Sequence, residues 1–290
     1  MIPAFESLYH PLTSRPFLRD ESYTEYAPCP ALRPYIACFW SMEGSGRGGD
    51  VRVIPDTCID IIIEVNHSRQ SIKTRLCGLQ DFSVLIPHRM TGDEVTSFAV
   101  RFHFWAARLF LDLDLRDLYN QVWDLELVQS GFTAGFDIFF YYRSVGERIA
   151  WMERFLLGKL NPDQYDPNLY NAVEYILKTK GNAAVKELCG YTCVGQRQME
   201  RLFQRDIGIS MKRTASLVRY QNVWREIVDQ KEFQVQDAVY RYGYSDQSHL
   251  LNAFRRFHGV WPDQAKQAAL KWVWCRFFSI QIQPLMIQFS

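Results

Sequence analysis

Two short segments in the C-terminal half carry polar side chains at a spacing suited to reading DNA. In residues 195–205, the apolar residues Met199, Leu202 and Phe203 follow an i, i+3, i+4 pattern, which predicts a helix with one buried stripe. The opposite face of that helix holds Arg197, Glu200, Arg201 and Gln204. Arginine can form two hydrogen bonds to guanine, and asparagine or glutamine can do the same with adenine. The segment therefore has the chemistry of a helix that lies in the major groove.

The second segment, residues 246–257, repeats the first, with Phe254 in the place of Phe203. Its polar face holds Gln247, Ser248, Leu251, Asn252 and Arg255. A shorter helical run precedes each segment, at 183–189 and 235–240, and a turn separates it from the longer run. Each copy is thus predicted to be a helix-turn-helix, whose second helix can enter the major groove.

The net charge of +1 conceals two halves of opposite sign. Residues 1–165 hold 16 Lys and Arg against 21 Asp and Glu, which gives −5, whereas residues 166–290 hold 17 against 11, which gives +6. The basic half suits a phosphate partner. A hydrophobic content of 48% and a charged content of 22% exclude a disordered chain. Because no apolar run reaches the ~18 residues of a membrane span, we expect no membrane partner. Seven scattered cysteines indicate reduced thiols and a cytoplasmic location.

The two halves also differ in their predicted elements, so the predicted class is α+β. Short apolar runs with Gly or Pro turns predict strands and hence a β-rich barrel or sandwich. These strands are expected at 35–42, 51–54, 58–65, 72–76, 82–86 and 96–104. Residues 1–160 are predicted to form a β-rich sensor or dimerisation domain with helices, followed by a linker at 161–168. Residues 169–270 are predicted to form an all-α domain, in which a linker helix at 210–230 joins the two helix-turn-helix units. A hydrophobic tail, 271–290, ends the sequence.

The C-terminal segments resemble a known family. GYSDQSHLLNAFRRFHGVWP (243–262) resembles the second helix-turn-helix of AraC-type transcriptional regulators, and QRQMERLFQRDIGIS (196–210) resembles the first. VIPDTCIDIIIE (53–64), CGLQ (77–80) and VRF (100–102) resemble an uncharacterised, cupin-like sensor domain. The resemblance implies a sequence-specific regulator that is not an enzyme and needs no cofactor. It also implies promoter DNA and RNA polymerase as partners.

The resemblance assigns roles to residues in both copies. The base-contacting positions are Arg197, Glu200, Arg201, Gln247, Ser248, Leu251 and Asn252. The phosphate-contacting positions are Gln196, Arg205, Lys212, Arg213, Arg255 and Arg256. The chain departs from the family at Cys193, Met211 and Asn252, where a turn glycine, a proline and an arginine are common. A linker helix of 21 residues spans roughly 30 Å, close to the ~34 Å between successive major grooves on one side of DNA.

The N-terminal half contains candidates for a ligand pocket. Strand alternation puts Arg101, His103 and Trp105 on one face, with Trp40 and Asp60 on or beside neighbouring strands. That face could instead be solvated. The histidines lack the close spacing of a metal-binding cupin, so we expect no metal site. Three functions remain open: a regulator controlled by a small-molecule effector, a regulator whose N-terminal half only forms a homodimer, and a cupin-like enzyme fused to a DNA-binding module.

Two further apolar patterns predict packing surfaces. Val145, Ile149, Met152 and Leu156 are spaced by four, three and four residues, which is typical of one face of a helix. This helix packs either on its own sheet or against a second copy as a dimer helix. Residues 277–290 alternate with the period of a strand, and we predict that this tail packs back onto the acidic half.

Overall fold

The computed structural model describes residues 5–17, 23–43, 50–86, 92–142 and 144–270. The strands are β1 (Tyr23–Tyr26), β2 (Ile36–Glu43), β3 (Val51–Val53), β4 (Cys58–Asn66), β5 (Ser71–Cys77), β6 (Val84–Ile86), β7 (Val95–His103) and β8 (Val122–Asp124). The helices are α1 (Leu125–Val128), α2 (Val145–Lys159), α3 (Pro167–Lys178), α4 (Val185–Thr192), α5 (Gln196–Asp206), α6 (Met211–Asp229), α7 (Val235–Tyr242), α8 (Gln247–His258) and a last helix at 262–270. The predicted tail at 271–290 lies outside the described residues. No described helix is long and apolar enough to cross a membrane.

The strands form an antiparallel sheet of six, in the order β1-β2-β7-β4-β5-β8, and a separate pair, β3-β6. The β-branched sequence of β4 explains its central place, because Ile59, Ile61 and Ile63 alternate into the core at 1% exposure or less. The six predicted strands are all present with small shifts at their ends. The short edge strands β1 and β8 were not among the predictions.

Helix α2 packs on the chain's own core. It begins at Ser144, which forms a capping box with Glu147. Met152 and Leu156 are 1% and 0% exposed, and Val145 and Ile149 are half-buried against the same core. The four residues of the predicted seam therefore face inward, which is the first of the two interpretations. A dimer helix through these residues, the second interpretation, stays a prediction.

The C-terminal half contains the two predicted helix-turn-helix units. The first uses α4 and α5, the second uses α7 and α8, and α6 joins them. Helices α4 and α7 end at residues in the left-handed region, Cys193 (φ 54°) and Gly243 (φ 66°). Glycine is the residue that adopts this conformation without a steric penalty, so Cys193 costs roughly 1–2 kcal/mol that Gly243 avoids. The turn nevertheless forms in both copies.

One hydrophobic core runs through both halves. Phe5 packs edge-to-face on Trp105 and stacks on Tyr170 of α3, whose hydroxyl donates to the Trp105 carbonyl at 2.7 Å. The N-terminal segment, residues 5–17, lies between the β-rich half and α6. Within it, the backbone NH of Leu12 donates to the side chain of Gln221 at 2.8 Å. The chain's first described residues therefore tie the two halves together.

Candidate nucleic-acid interface

Helix α5 presents most of its predicted base-contacting face to solvent. Met199, Leu202 and Phe203 are 0%, 4% and 0% exposed, so the opposite face points outward. Arg197 and Arg201 are exposed on that face. Glu200 is half-buried instead, and its Oε2 accepts a hydrogen bond from the backbone NH of Met211 at 3.2 Å. The carboxylate of Glu200 therefore caps the first turn of α6, next to the exposed arginines.

Helix α8 presents the matching face. Asp246 caps it by accepting a hydrogen bond from the backbone NH of His249 at 2.8 Å, and this bond lowers the pKa of Asp246. Gln247, Ser248 and Asn252 are exposed, whereas Leu251 is half-buried. The side-chain amide of Gln247 also donates to the side chain of Gln236 on α7, at 2.6 Å. That bond holds Gln247 in a fixed orientation at the start of the helix.

The six predicted phosphate-contacting residues fall into two groups. Gln196, Lys212 and Arg255 are exposed, and the guanidinium of Arg255 lies 4.7 Å from the centre of the Trp261 ring. The other three arginines contact carboxylates. Arg205 forms two hydrogen bonds of 2.6 Å to its neighbour Asp206, which raise the pKa of Arg205. Arg213 and Arg256 both contact Asp81, a residue of the β-rich half.

Helix α6 connects the two helix-turn-helix units and so separates their second helices, α5 and α8, which we call the reading helices. Its 19 residues span roughly 28 Å at 1.5 Å per residue. Most of the helix is buried, because it packs against both helix-turn-helix units and against the β-rich half. The two polar faces are therefore joined by one buried helix whose length is close to one helical turn of DNA.

In the β-rich half, three of the five predicted ligand-binding residues come together. The Nε and Nη2 of Arg101 donate to the two carboxylate oxygens of Asp60 at 3.1 and 3.0 Å, and the indole NH of Trp40 donates to Asp60 at 3.1 Å. Glu25 and Asp56 also face Arg101, at 3.5 and 3.4 Å. Burial raises the pKa of Asp56 even though Arg101 opposes this shift. We call these five residues the acidic cluster.

The remaining two predicted ligand residues, His103 and Trp105, do not join the acidic cluster. Their rings stack on each other at 4.3 Å, and both are 2% exposed. Burial lowers the pKa of His103 to about 3, so its ring is neutral. Strand β7 ends at His103, so alternation no longer applies at Trp105, which packs into the main core beside Phe5 and Tyr9. The expectation of one polar face through Trp105 was wrong for this reason.

Several contacts had no signal in the sequence patterns. Asp81 and Tyr119 contact Arg213 from the β-rich half, and Gln221 of α6 binds the N-terminal segment. The CGLQ motif directly precedes Asp81 and was the one available pointer to that loop. No group of three or more metal-ligating side chains occurs among the residues that the structure describes. The six cysteines within that part of the chain are all free.

Comparison with known families confirms the resemblance of the two halves. Residues 188–268 match a family described as a helix-turn-helix domain, and residues 24–124 match a domain family of unknown function. No curated protein matches the chain.

Among solved structures, the chain is similar to the C-terminal domain of AraT, a response regulator from Geobacillus stearothermophilus, with 20% identity and a TM-score of 0.33 over 36% of this chain and 86% of that one. It is also similar to an AraC-type transcriptional regulator from Chromobacterium violaceum, with 20% identity and a TM-score of 0.32 over 36% and 92%. A third similar structure is ToxT from Vibrio cholerae, with 12% identity and a TM-score of 0.38 over 84% and 97%.

Proposed function

We propose that α5 and α8 read successive major grooves of promoter DNA. The premise of this proposal is that the C-terminal module is an AraC-type helix-turn-helix domain. The observation that carries this proposal is the pair of exposed polar faces at equivalent positions of the repeat, Arg197 and Arg201 on α5 and Ser248 and Asn252 on α8. Binding draws its affinity from phosphate neutralisation and its specificity from these side chains. RNA polymerase is the further partner of such a regulator, and no catalytic step belongs to this function.

The test is selection of bound duplexes from a random pool, followed by measurement of variants on the selected site. Arg201→Ala should weaken binding to the selected site by about 5- to 150-fold and leave binding to random DNA nearly unchanged, as expected for a lost base contact. The matched control is Arg154→Ala, which removes an exposed arginine on α2 and should change neither affinity. An equal loss on both DNAs would make Arg201 a phosphate contact. Failure of the wild-type chain to enrich any sequence would refute the proposed function.

We further propose that a small ligand bound at the acidic cluster modulates DNA binding. The support is a continuous path of polar contacts from the cluster to α6. Asp56 faces Arg101, and the carbonyl of the preceding residue, Pro55, accepts a hydrogen bond from Gln221 at 2.6 Å. A displacement of Asp56 would therefore act on the helix that separates the reading helices.

A thermal-shift screen of small amines and carboxylates against the wild type and Arg101→Met tests this proposal. A compound that shifts the melting temperature of the wild type and not of the variant supports it. If no compound separates the two proteins, the N-terminal half serves as a structural or dimerisation domain, which is the alternative function.

A further inference from the structure

Two loops of the β-rich half are joined into one rigid surface. They comprise residues 78–83 and 115–120, and we call them the docking loops. A Cβ atom on Gly78 would lie 1.9 Å from the Leu118 carbonyl oxygen, so only glycine permits this approach. Asn120 holds Asp81 from both sides, since its Oδ1 accepts from the Asp81 backbone NH at 3.0 Å and its Nδ2 donates to the Asp81 carboxylate at 2.9 Å. The position of Asp81 is therefore set within the β-rich half.

Both helix-turn-helix units touch the docking loops or the adjoining strand at equivalent points of the repeat. Gly208 follows α5, and Gly259 follows α8 at the matching position. A Cβ atom on Gly208 would lie 2.4 Å from the Leu115 carbonyl oxygen, and one on Gly259 would lie 2.3 Å from the Ser83 hydroxyl. The ends of both reading helices thus abut the β-rich half closely.

Asp81 lies between these two contacts and binds one arginine from each side of the module. Its carboxylate contacts Arg213 at the start of α6 and Arg256 of α8, the latter at 3.4 Å. Arg213 also donates to the hydroxyl of Tyr119 at 2.5 Å, and its guanidinium lies 5.5 Å from the centre of that ring. Asp81 is buried, whereas the Arg256 side chain is 60% exposed. One fixed anion between two guanidinium groups is the arrangement that a DNA phosphate would offer.

We propose that the docking loops form an intramolecular docking surface for the DNA-binding module, on which Asp81 takes the place of a DNA phosphate. This inference rests on the proposed function, since it requires Arg213 and Arg256 to contact phosphates. While the module is docked, the two arginines share the chain's own carboxylate, which offsets one of their two positive charges. DNA must then compete with Asp81, and the apparent affinity equals the affinity of the undocked form multiplied by the fraction of molecules in which the arginines are released.

The experiment is a salt titration of binding to a random-sequence 30-base-pair duplex, with the full-length wild type and three variants. Asp81→Asn should bind about tenfold more tightly than the wild type, and its log–log salt slope should be steeper by about one to two, because up to two cations become free to displace counterions. Tyr119→Phe removes only the hydroxyl partner of Arg213 and should give a smaller gain. Asp137→Asn makes the same charge change at an exposed position of the β-rich half and should bind like the wild type.

A second comparison tests the pairing directly. Arg256→Gln should weaken DNA binding more in the Asp81→Asn background than in the wild type, because Arg256 reaches phosphate only when Asp81 releases it. If Asp81→Asn melts before the assay temperature, Tyr119→Phe alone decides by the sign of its effect. Tighter binding by Asp81→Asn than by Asp137→Asn supports the proposal. Equal or weaker binding overturns it and leaves DNA binding intact, whereas a wild type that binds no DNA refutes the proposed function itself.

Discussion

Gln221 is one of three side chains by which α6 holds the N-terminal segment, together with Trp224, which donates to the Thr13 carbonyl, and Arg225, which donates to the His10 carbonyl. The amide of Gln221 is 2% exposed and makes three hydrogen bonds to the backbone. Its Oε1 accepts from the NH of Leu12 at 2.8 Å, and its Nε2 donates to the carbonyls of Leu12 and Pro55 at 3.1 and 2.6 Å. Replacing Gln221 with leucine keeps the approximate volume and removes all three partners.

The expected cost follows from those three backbone groups. A buried donor or acceptor left without a partner costs about 1–3 kcal/mol, and relaxation of the segment toward water recovers part of this. We therefore expect Gln221→Leu to lower the free energy of unfolding by about 3–5 kcal/mol. Part of the loss should appear locally, as weaker attachment of residues 5–17 to α6, because two of the three bonds join Gln221 to Leu12 in the middle of that segment.

Urea unfolding gives the global change, and amide hydrogen exchange at Leu12 gives the local one. The matched control is Asn222→Leu on the same helix, where the amide bonds only to the Val218 carbonyl within α6 at 2.8 Å. This control should change the unfolding free energy by less than about 0.5 kcal/mol, because leucine is a good helix former and no other segment loses a partner. Similar unfolding free energies for the two variants, with Leu12 still protected, would refute the reasoning.

Two further predictions concern buried groups. Burial lowers the pKa of His258 to about 3, so the ring stays neutral in the folded protein. The unfolded chain takes up a proton at this ring below pH ~6.5. The free energy of unfolding should therefore fall by about 1.4 kcal/mol per pH unit as the pH drops from 6.5 toward 3. His258→Gln keeps an acceptor for the Tyr220 hydroxyl. In urea unfolding between pH 6.5 and 5, the variant should lose this ~1.4 kcal/mol per pH unit from the pH dependence of its unfolding free energy. An unchanged slope would show that His258 is not the group responsible. Gly78→Ala would force a Cβ against the Leu118 carbonyl and should lower the free energy of unfolding by about 1–3 kcal/mol. The control is Gly92→Ala, whose Cβ would have no atom within 4 Å and should leave stability unchanged. Equal melting temperatures for the two variants would contradict the close approach at Gly78.

The sequence predicts an element where local pattern alone determines it. The two reading helices were expected at 195–205 and 246–257 and occur as Gln196–Asp206 and Gln247–His258. An apolar stripe with helical spacing suffices for this, because the same stripe provides the core contacts. The strand expected at 58–65 occurs as Cys58–Asn66, since a run of β-branched apolar residues fits a strand that is buried between two neighbours.

Contacts between the halves have no such pattern. Arg213 meets Tyr119 across 94 positions of sequence, and the contact exists only because the two halves pack on one core. Alternation fails at Trp105 for a related reason, since it holds only while the chain stays in strand β7. The family resemblance assigned Arg213 to a DNA phosphate, whereas tertiary packing supplies it with the carboxylate of Asp81.

The same packing makes the two copies of the repeat electrostatically unequal. Arg205 and Arg256 occupy equivalent positions, but Arg205 binds Asp206 of its own copy, whereas Arg256 contacts Asp81 of the β-rich half. The β-rich half instead brings a cation toward the first copy, because Arg108 approaches Asp206 at 3.9 Å. Docking therefore places a carboxylate of the β-rich half directly on Arg256 of α8, whereas Arg205 of α5 is already paired within its own copy. On the proposal above, undocking frees Arg256 on α8 and Arg213 at the start of α6 while Arg205 stays paired with Asp206, so of the two equivalent arginines only the one in the second copy gains a phosphate contact.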